Sequence, residues 1–188
     1  HVISYPAATR LVRVDVATLA HRVRYIIGAG DGVPDALRQL GCEVTLLDEQ
    51  ELAQGDLERF DAIVTVVRAF NVRNDLRAHF ERLLEYVRAG GALVVQSNVV
   101  SRRPFDAGEG LGRLGPYPIT IGPERVTVEE ASVEFLLPEH PSLRQRNHIT
   151  QEAFQAWVQE QGLYFARAWA PHYTPLFVMA GPGEPTLT

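Results

Sequence analysis

The chain has 188 residues, enough for one domain with a substantial core. Its 46% hydrophobic and 22% charged content is that of a folded, water-compatible protein, and no apolar run approaches the roughly 20 residues a membrane helix needs. The net charge is −5, every basic residue is an Arg, and none cluster, which argues against a nucleic-acid partner.

The first residue is His rather than Met, and no charged-then-apolar signal pattern follows. The expectation is an internal or processed end, of a protein either cytoplasmic or exported as part of a longer precursor. Residues 1–21 read as a lead-in or linker, with RLVRVDVATL as edge strand or linker. VRYIIG is an apolar run of strand length ending in glycine. VPDALRQLG puts Val33, Leu37 and Leu40 on one helical face, with Pro34 in the first turn and Gly41 as the stop. CEVTLLD is a second strand, and LERFDAIVTVV supplies a third, centred on Ile63 to Val67. NDLRAHFERLLEYVRAGG is the clearest helix, with Asn74 as N-cap, an apolar stripe of Leu76, Phe80, Leu83, Leu84 and Val87, and Gly90–Gly91 as its end. ALVVQSN is a fourth strand whose consecutive apolar residues imply cover on both faces. Short apolar strands alternating with helices predict a parallel sheet in an α/β fold.

After Asn98 a Gly-, Pro- and Arg-rich loop runs through SRRPFDAGEGLGRLGPYP. Added strands are expected beyond residue 115, at RVTVEE, SVEFLL and finally TPLFVMA. EHP at 139–141 reads as a loop turn. ITQEAFQAWVQEQGLYF reads as a helix capped by Thr150, with Phe154, Trp157 and Val158 inward, and GPGEPTLT as a loop that ends. Trp157, Tyr164, Phe165 and Trp169 are readable as a sugar platform, but helical spacing favours core for Trp157 and Tyr164.

The stretch from Arg22 to Gln50 raises the question of a nucleotide site. Gly28, Gly30 and an acid at Asp48 match part of the dinucleotide fingerprint. Val33 replaces the third glycine, however, and Asp31 puts a carboxylate where a pyrophosphate would sit. The reading favoured by these residues is a turn, with Asp31 capping the following helix. Cys42, at the amino edge, reads as a buried thiol; as the sole cysteine it excludes a disulfide framework and a cysteine-rich zinc site. Ser97 lacks the flanking glycines of a nucleophile elbow. The six His show no metal-binding spacing. The residues call for no cofactor, no metal and no assigned catalytic group.

A positional set remains. Loops after the first, third and fourth strands should converge at the carboxyl edge of the sheet, the usual ligand edge of this architecture, with Asp48 following the second. They carry the binding candidates Gly30, Asp31, Asp48, Arg68, Phe70, Asn71, Gln96, Ser97 and Asn98. Arg68 is a fork donor just after an apolar strand, and the amides Asn71, Gln96 and Asn98 suit a hydroxyl-rich ligand. Equally, Arg68 pairs with Asp31 or Asp48 and the amides tie loops together.

The phrase YIIGAGDGVPDALRQLGCEVTLLDEQELAQGDLERFDAIVTVVRAFNVRNDLRAHFERLLEYVRAGGALVVQSN resembles the class I glutamine-amidotransferase-like domain attached to many bacterial PIG-L (LmbE-like) deacetylases. GPYPITIGPERVTVEE, FLLPEHPSL and ITQEAFQAWVQEQGLYFARAWAPHYTPL extend the resemblance, from about Val12 to the end. It implies a flavodoxin-like, ThuA-like three-layer sandwich over 22–188. The family's deacetylase chemistry sits in another domain with an H-P-D-D zinc motif that these residues lack. Where true amidotransferases carry a glycine-flanked Cys, this chain has Gln96-Ser97-Asn98, so no catalytic residue is carried over. The family continues with a glycine-rich hairpin and final helix. Their absence here implies a truncated fragment or a completing partner, with an open edge near Leu176–Met179.

The expected function is a non-catalytic accessory domain of a PIG-L-type N-acetyl-sugar deacetylase. It would bind carbohydrate or glycoconjugate, or dock to the deacetylase domain of the same polypeptide. The alternatives are a stand-alone hydrolase at the carboxyl edge, using Asp31 or Asp48 as base, and a nucleotide-binding domain.

Overall fold

Four short apolar segments pair into one sheet. In the computed structural model, which describes residues 15–28, 30–100, 111, 113–128, 131–154, 162–181 and 186–188, strands β1 (Arg22–Ile26), β2 (Glu43–Leu46), β3 (Ala62–Thr65) and β4 (Ala92–Val95) run all parallel in the order β2-β1-β3-β4. Helix α1 (Val33–Gln39) joins β1 to β2, and α2 (Glu49–Gln54) joins β2 to β3. Helices α3 (Ala69–Val72), α4 (Asn74–Ala78) and α5 (Phe80–Arg88) join β3 to β4. The expected α/β class with a parallel sheet is present. Among the described residues, no helix is long and apolar enough to cross a membrane.

β1 is buried from Val23 to Ile26 and β3 throughout, as strands covered on both faces must be. Arg24 lies within this layer, only 4% exposed. Its guanidinium donates to the Leu46 carbonyl (3.1 Å) and to Glu51 of α2 (2.6 Å), and sits 4.3 Å from the centre of the Phe60 ring. The Glu51 partner keeps this buried cation from being left unpaired. β4 departs from expectation. Leu93 and Val95 are half-buried, but Ala92 is exposed and Val94 is 49% exposed. β4 is the outer strand of the sheet, so cover on both faces is not supplied by the described residues.

The long helix predicted over 74–91 is two helices that meet at His79, whose φ of −105° and ψ of 15° interrupt the helical path. Asn74 is the first helical residue and makes no cap; Arg73 precedes it. Leu76, Phe80, Leu83 and Leu84 are buried as predicted, whereas Val87 is exposed and Tyr86 takes a buried place instead. Tyr86 is drawn inward by its hydroxyl, which donates to the Phe60 carbonyl at 3.0 Å. Gly90, at φ +102°, ends the second helix where an L side chain would be strained. In α1, Val33 and Leu37 pack on the core, but Leu40 is exposed just past the helix end. RAFNVR, read as loop, forms α3, and α2 was not foreseen. Arg82 of α5 donates to the Leu52 and Gly55 carbonyls at the end of α2.

The added strands come after Pro118 and pair as antiparallel ribbons. β5 (Ile119–Ile121) pairs with β9 (Ala166–Trp169), β6 (Arg125–Val126) with β8 (Gly162–Leu163), and β7 (Val133–Phe135) with β10 (Phe177–Met179). Phe135, Phe154 and Phe177 meet edge-to-face with centroids 4.9–5.9 Å apart. EHP is not a plain turn: the His140 ring accepts from the Ser142 N–H and caps α6 (Pro141–Arg144). The helix expected from Thr150 starts as a 3₁₀ turn, Gln151–Ala153. Trp157 and Val158 lie outside the described residues, and Gly162–Leu163 is strand, not helix. The expected open edge near Met179 is paired: Met179 bridges Leu187 in the tail read as loop, while β10 pairs β7 on its other side. Residues 1–14 lie outside the described part, and 15–21 form no strand.

Candidate functional site

The predicted convergence at the carboxyl edge is built by backbone bonds. Val66 N–H donates to the Ile26 carbonyl (3.0 Å), and Arg68 N–H to the Ser97 carbonyl (2.8 Å). This brings together the loops after β1, β3 and β4. Asp48 stands apart. Its carboxylate accepts from the Glu51 N–H at 2.7 Å and caps α2.

At the centre lies a group sequence reasoning treated only as strand. The hydroxyl of Tyr25, 1% exposed, donates into the Asp31 carboxylate and accepts from the Gln96 side-chain amide at 3.2 Å. Burial, reinforced by the Asp31 carboxylate, pushes the phenol well above its ordinary range. The available signal was a lone Tyr in an aliphatic central strand, since a buried hydroxyl needs a partner. Asp31 also accepts from the Val33 N–H (3.0 Å), bracing the turn before α1, although Gly32 and not Asp31 holds the cap position.

The glycine loop is occupied with packing. A Cβ on Gly28 would lie 2.4 Å from a Val66 methyl and 3.1 Å from the Ala69 Cα, so this glycine admits the β3–α3 connection. Gly30 has φ +90° and open space around it. With the Asp31 carboxylate already bonded to Val33 N–H, the helix start has a resident anion.

The amides act as braces. Asn98 is 3% exposed; its oxygen accepts from the Phe70 N–H (3.0 Å) and its nitrogen donates to the Gln96 carbonyl (2.9 Å). Asn71 exchanges two bonds with the Val99 backbone, at 2.9 and 2.8 Å. Phe70 is fully buried, its ring 5.2 Å from that of Phe80, so it is core and not a ligand-facing residue. The expected pairing of Arg68 with Asp31 or Asp48 does not form. Among the described residues Arg68 makes no ion pair, and its backbone is left-handed at φ 64°. Ser97 is exposed.

Beside this edge runs a groove of about 400 Å³. Leu84, Val87, Leu93, Val95, Ile119 and Ile121 give it an apolar lining, Tyr164 and Tyr173 contribute to its wall, and Gln96, Ser97 and Asn98 form its polar part. Val87, misplaced in the predicted stripe, belongs to it. Cys42 lies at the opposite edge, buried, its thiol 3.2 Å from the Ala20 carbonyl. Among the described residues no cluster of His, Cys, Asp and Glu could hold a metal ion. No family model matches the chain, and neither a curated protein nor a solved structure matches it.

Proposed function

We propose that this chain is a non-catalytic accessory domain of a PIG-L-type N-acetyl-sugar deacetylase. It binds a carbohydrate or glycoconjugate, or docks to the catalytic domain, at the carboxyl edge of its sheet. In this reading the fold is flavodoxin-like and of the class I glutamine-amidotransferase-like kind. The order β2-β1-β3-β4 supports it, being the start of the doubly wound order 2-1-3-4-5, with the switch point between β1 and β3. Right-handed crossovers would set α1 on one face and α2, α4 and α5 on the other, giving three layers.

One observation carries the functional reading: an open groove adjoins an edge whose carboxylates are engaged internally. Asp31 is held by Tyr25 and Val33, and Asp48 by α2. A general base needs a lone pair facing the substrate proton. Asp31 already accepts from two donors of the fold and Asp48 from one, which favours a structural part for these carboxylates and binding over turnover.

The test is peptide mapping of the native polypeptide that contains this sequence, with assay of N-acetyl-sugar deacetylation. The expected result is an H-P-D-D segment in the same polypeptide and metal-dependent activity unchanged by Asp31→Asn. A polypeptide without that segment, showing metal-independent turnover lost on Asp31→Asn, overturns the reading in favour of a hydrolase.

A further inference from the structure

Among the described residues, two that are not glycine have positive φ, and both belong to the groove or its border. Tyr164, at φ 60°, lines it. Arg68, at φ 64°, is hydrogen-bonded to Ser97, which lines it. Such strain persists only where the surroundings impose it, and it concentrates at ligand sites. The volume of about 400 Å³ lies in the small-molecule range. The lining is uneven. Leu84, Val87, Leu93, Val95 and Ile121 offer no hydrogen bonds and the Tyr173 hydroxyl is bonded to Tyr117, while Ser97 lies exposed beside the braced amides of Gln96 and Asn98. Arg68 borders that polar part through its backbone N–H, which donates to the Ser97 carbonyl, and its exposed side chain makes no ion pair among the described residues.

We propose that this groove binds an amphiphile, with an alkyl or aryl body along Leu93 and Val95 and an anionic head at the Ser97–Arg68 end. The inference rests on the groove being the ligand site, and it narrows the ligand: the groove takes the acyl or aryl part of a conjugate, not its sugar. Sugar hydroxyls set against Leu, Val and Ile side chains would lose their water partners without replacement. An alkyl chain loses nothing there and gains by burial. The head is anionic because a guanidinium with no ion pair among the described residues offers a fork that matches a carboxylate.

The experiment titrates the whole chain with sodium octanoate, octyl β-glucoside below its micelle threshold, and glucose, followed by calorimetry and amide NMR shifts. The expected result is saturable binding of octanoate and octyl glucoside but not glucose, with shifts at Leu93, Val95 and Ile121. Val87→Glu, at a half-open position, should abolish binding of both amphiphiles. Arg68→Gly accepts the left-handed backbone and should weaken octanoate about tenfold while sparing octyl glucoside. Each variant is checked by its melting curve; should Val87→Glu unfold, Arg68→Gly still decides. Glucose binding as well as octanoate overturns the amphiphile inference and leaves the carbohydrate reading standing. Octanoate binding indifferent to the variants, or no binding by any probe, also overturns it, while peptide mapping decides the deacetylase reading separately.

Discussion

The Tyr25 hydroxyl donates into the Asp31 carboxylate, 2.6 Å from one oxygen and 2.7 Å from the other, linking the buried central strand to the first turn of α1. The phenol is held neutral by burial first and by Asp31 second. A folded-state pKa raised above the unfolded one gives stability that is complete below the unfolded value. That stability is lost as pH rises past it toward the folded value. Denaturant melts should therefore show stability falling above about pH 10, the ordinary phenol range. Part of this fall belongs to Tyr86, whose phenol is also raised by burial. Tyr25→Phe should remove its own share and be less stable at neutral pH. An alkaline slope identical in wild type and Tyr25→Phe would refute the assignment.

Asn98 is a structural brace. Asn98→Ala strands the buried Phe70 N–H and the Gln96 carbonyl, for a cost of about 2–4 kcal/mol in urea unfolding. Asn98→Asp keeps the acceptor but loses the donor and buries a charge, so it should be no better. Near-neutral behaviour of Asn98→Ala would mean that the loops after β3 and β4 hold without it.

The glycine loop can be tested one residue at a time. Gly28→Ala forces a methyl against Val66 and Ala69, with a cost of about 1–3 kcal/mol from overpacking. Gly30→Ala meets no neighbour but keeps a positive φ, at about 1–2 kcal/mol. Gly32→Ala, with φ −92° and open space, should stay within about 0.5 kcal/mol of wild type. Chemical denaturation of the three variants gives the order. Equal costs at Gly28 and Gly32 would contradict the close approach.

Arg73 joins the start of α4 to the end of β1. Its guanidinium bonds both oxygens of Asp75, at 2.7 Å for the Nε contact, and the Ile27 carbonyl at 2.9 Å. The Asp75 carboxyl is held below its ordinary range, chiefly by that bond. Stability from a lowered carboxyl is present above the unfolded value and is lost as pH falls through the folded one. Asp75→Asn should be about 1–2 kcal/mol less stable at neutral pH. The difference should shrink below about pH 4, followed by thermal or urea melts. A gap that persists in acid would mean packing, not charge, sets the effect.

Much of the parallel half was legible from local pattern. Apolar runs of strand length marked β1 to β4, but only the central β1 and β3 carry them because both faces are covered; β2 and β4 are outer strands. Gly90, just past the helix ending at Arg88, marked a real stop. The break at His79 was not legible, since Phe80, Leu83 and Leu84 continue an apolar spacing that a straight helix would also show. β5, β8 and β9 were missed because two to four residues are too few for a period to register.

The residues of the carboxyl edge are legible in the sequence, but their roles are not. Position at strand ends follows from the order of strands and loops along the chain, so Asp31, Arg68 and Gln96 could be picked out by counting. What each side chain bonds depends on strand register between segments far apart in sequence. Gln96 reaches Tyr25 across 71 positions, and Asn98 reaches Phe70 across 28. Sequence alone therefore determined the α/β pattern and the edge where its polar residues gather. The tertiary structure decided that the amides brace loops, that Asp31 answers a buried tyrosine, and that the open surface is an apolar groove, because only folding sets which distant groups satisfy one another and which are left facing solvent.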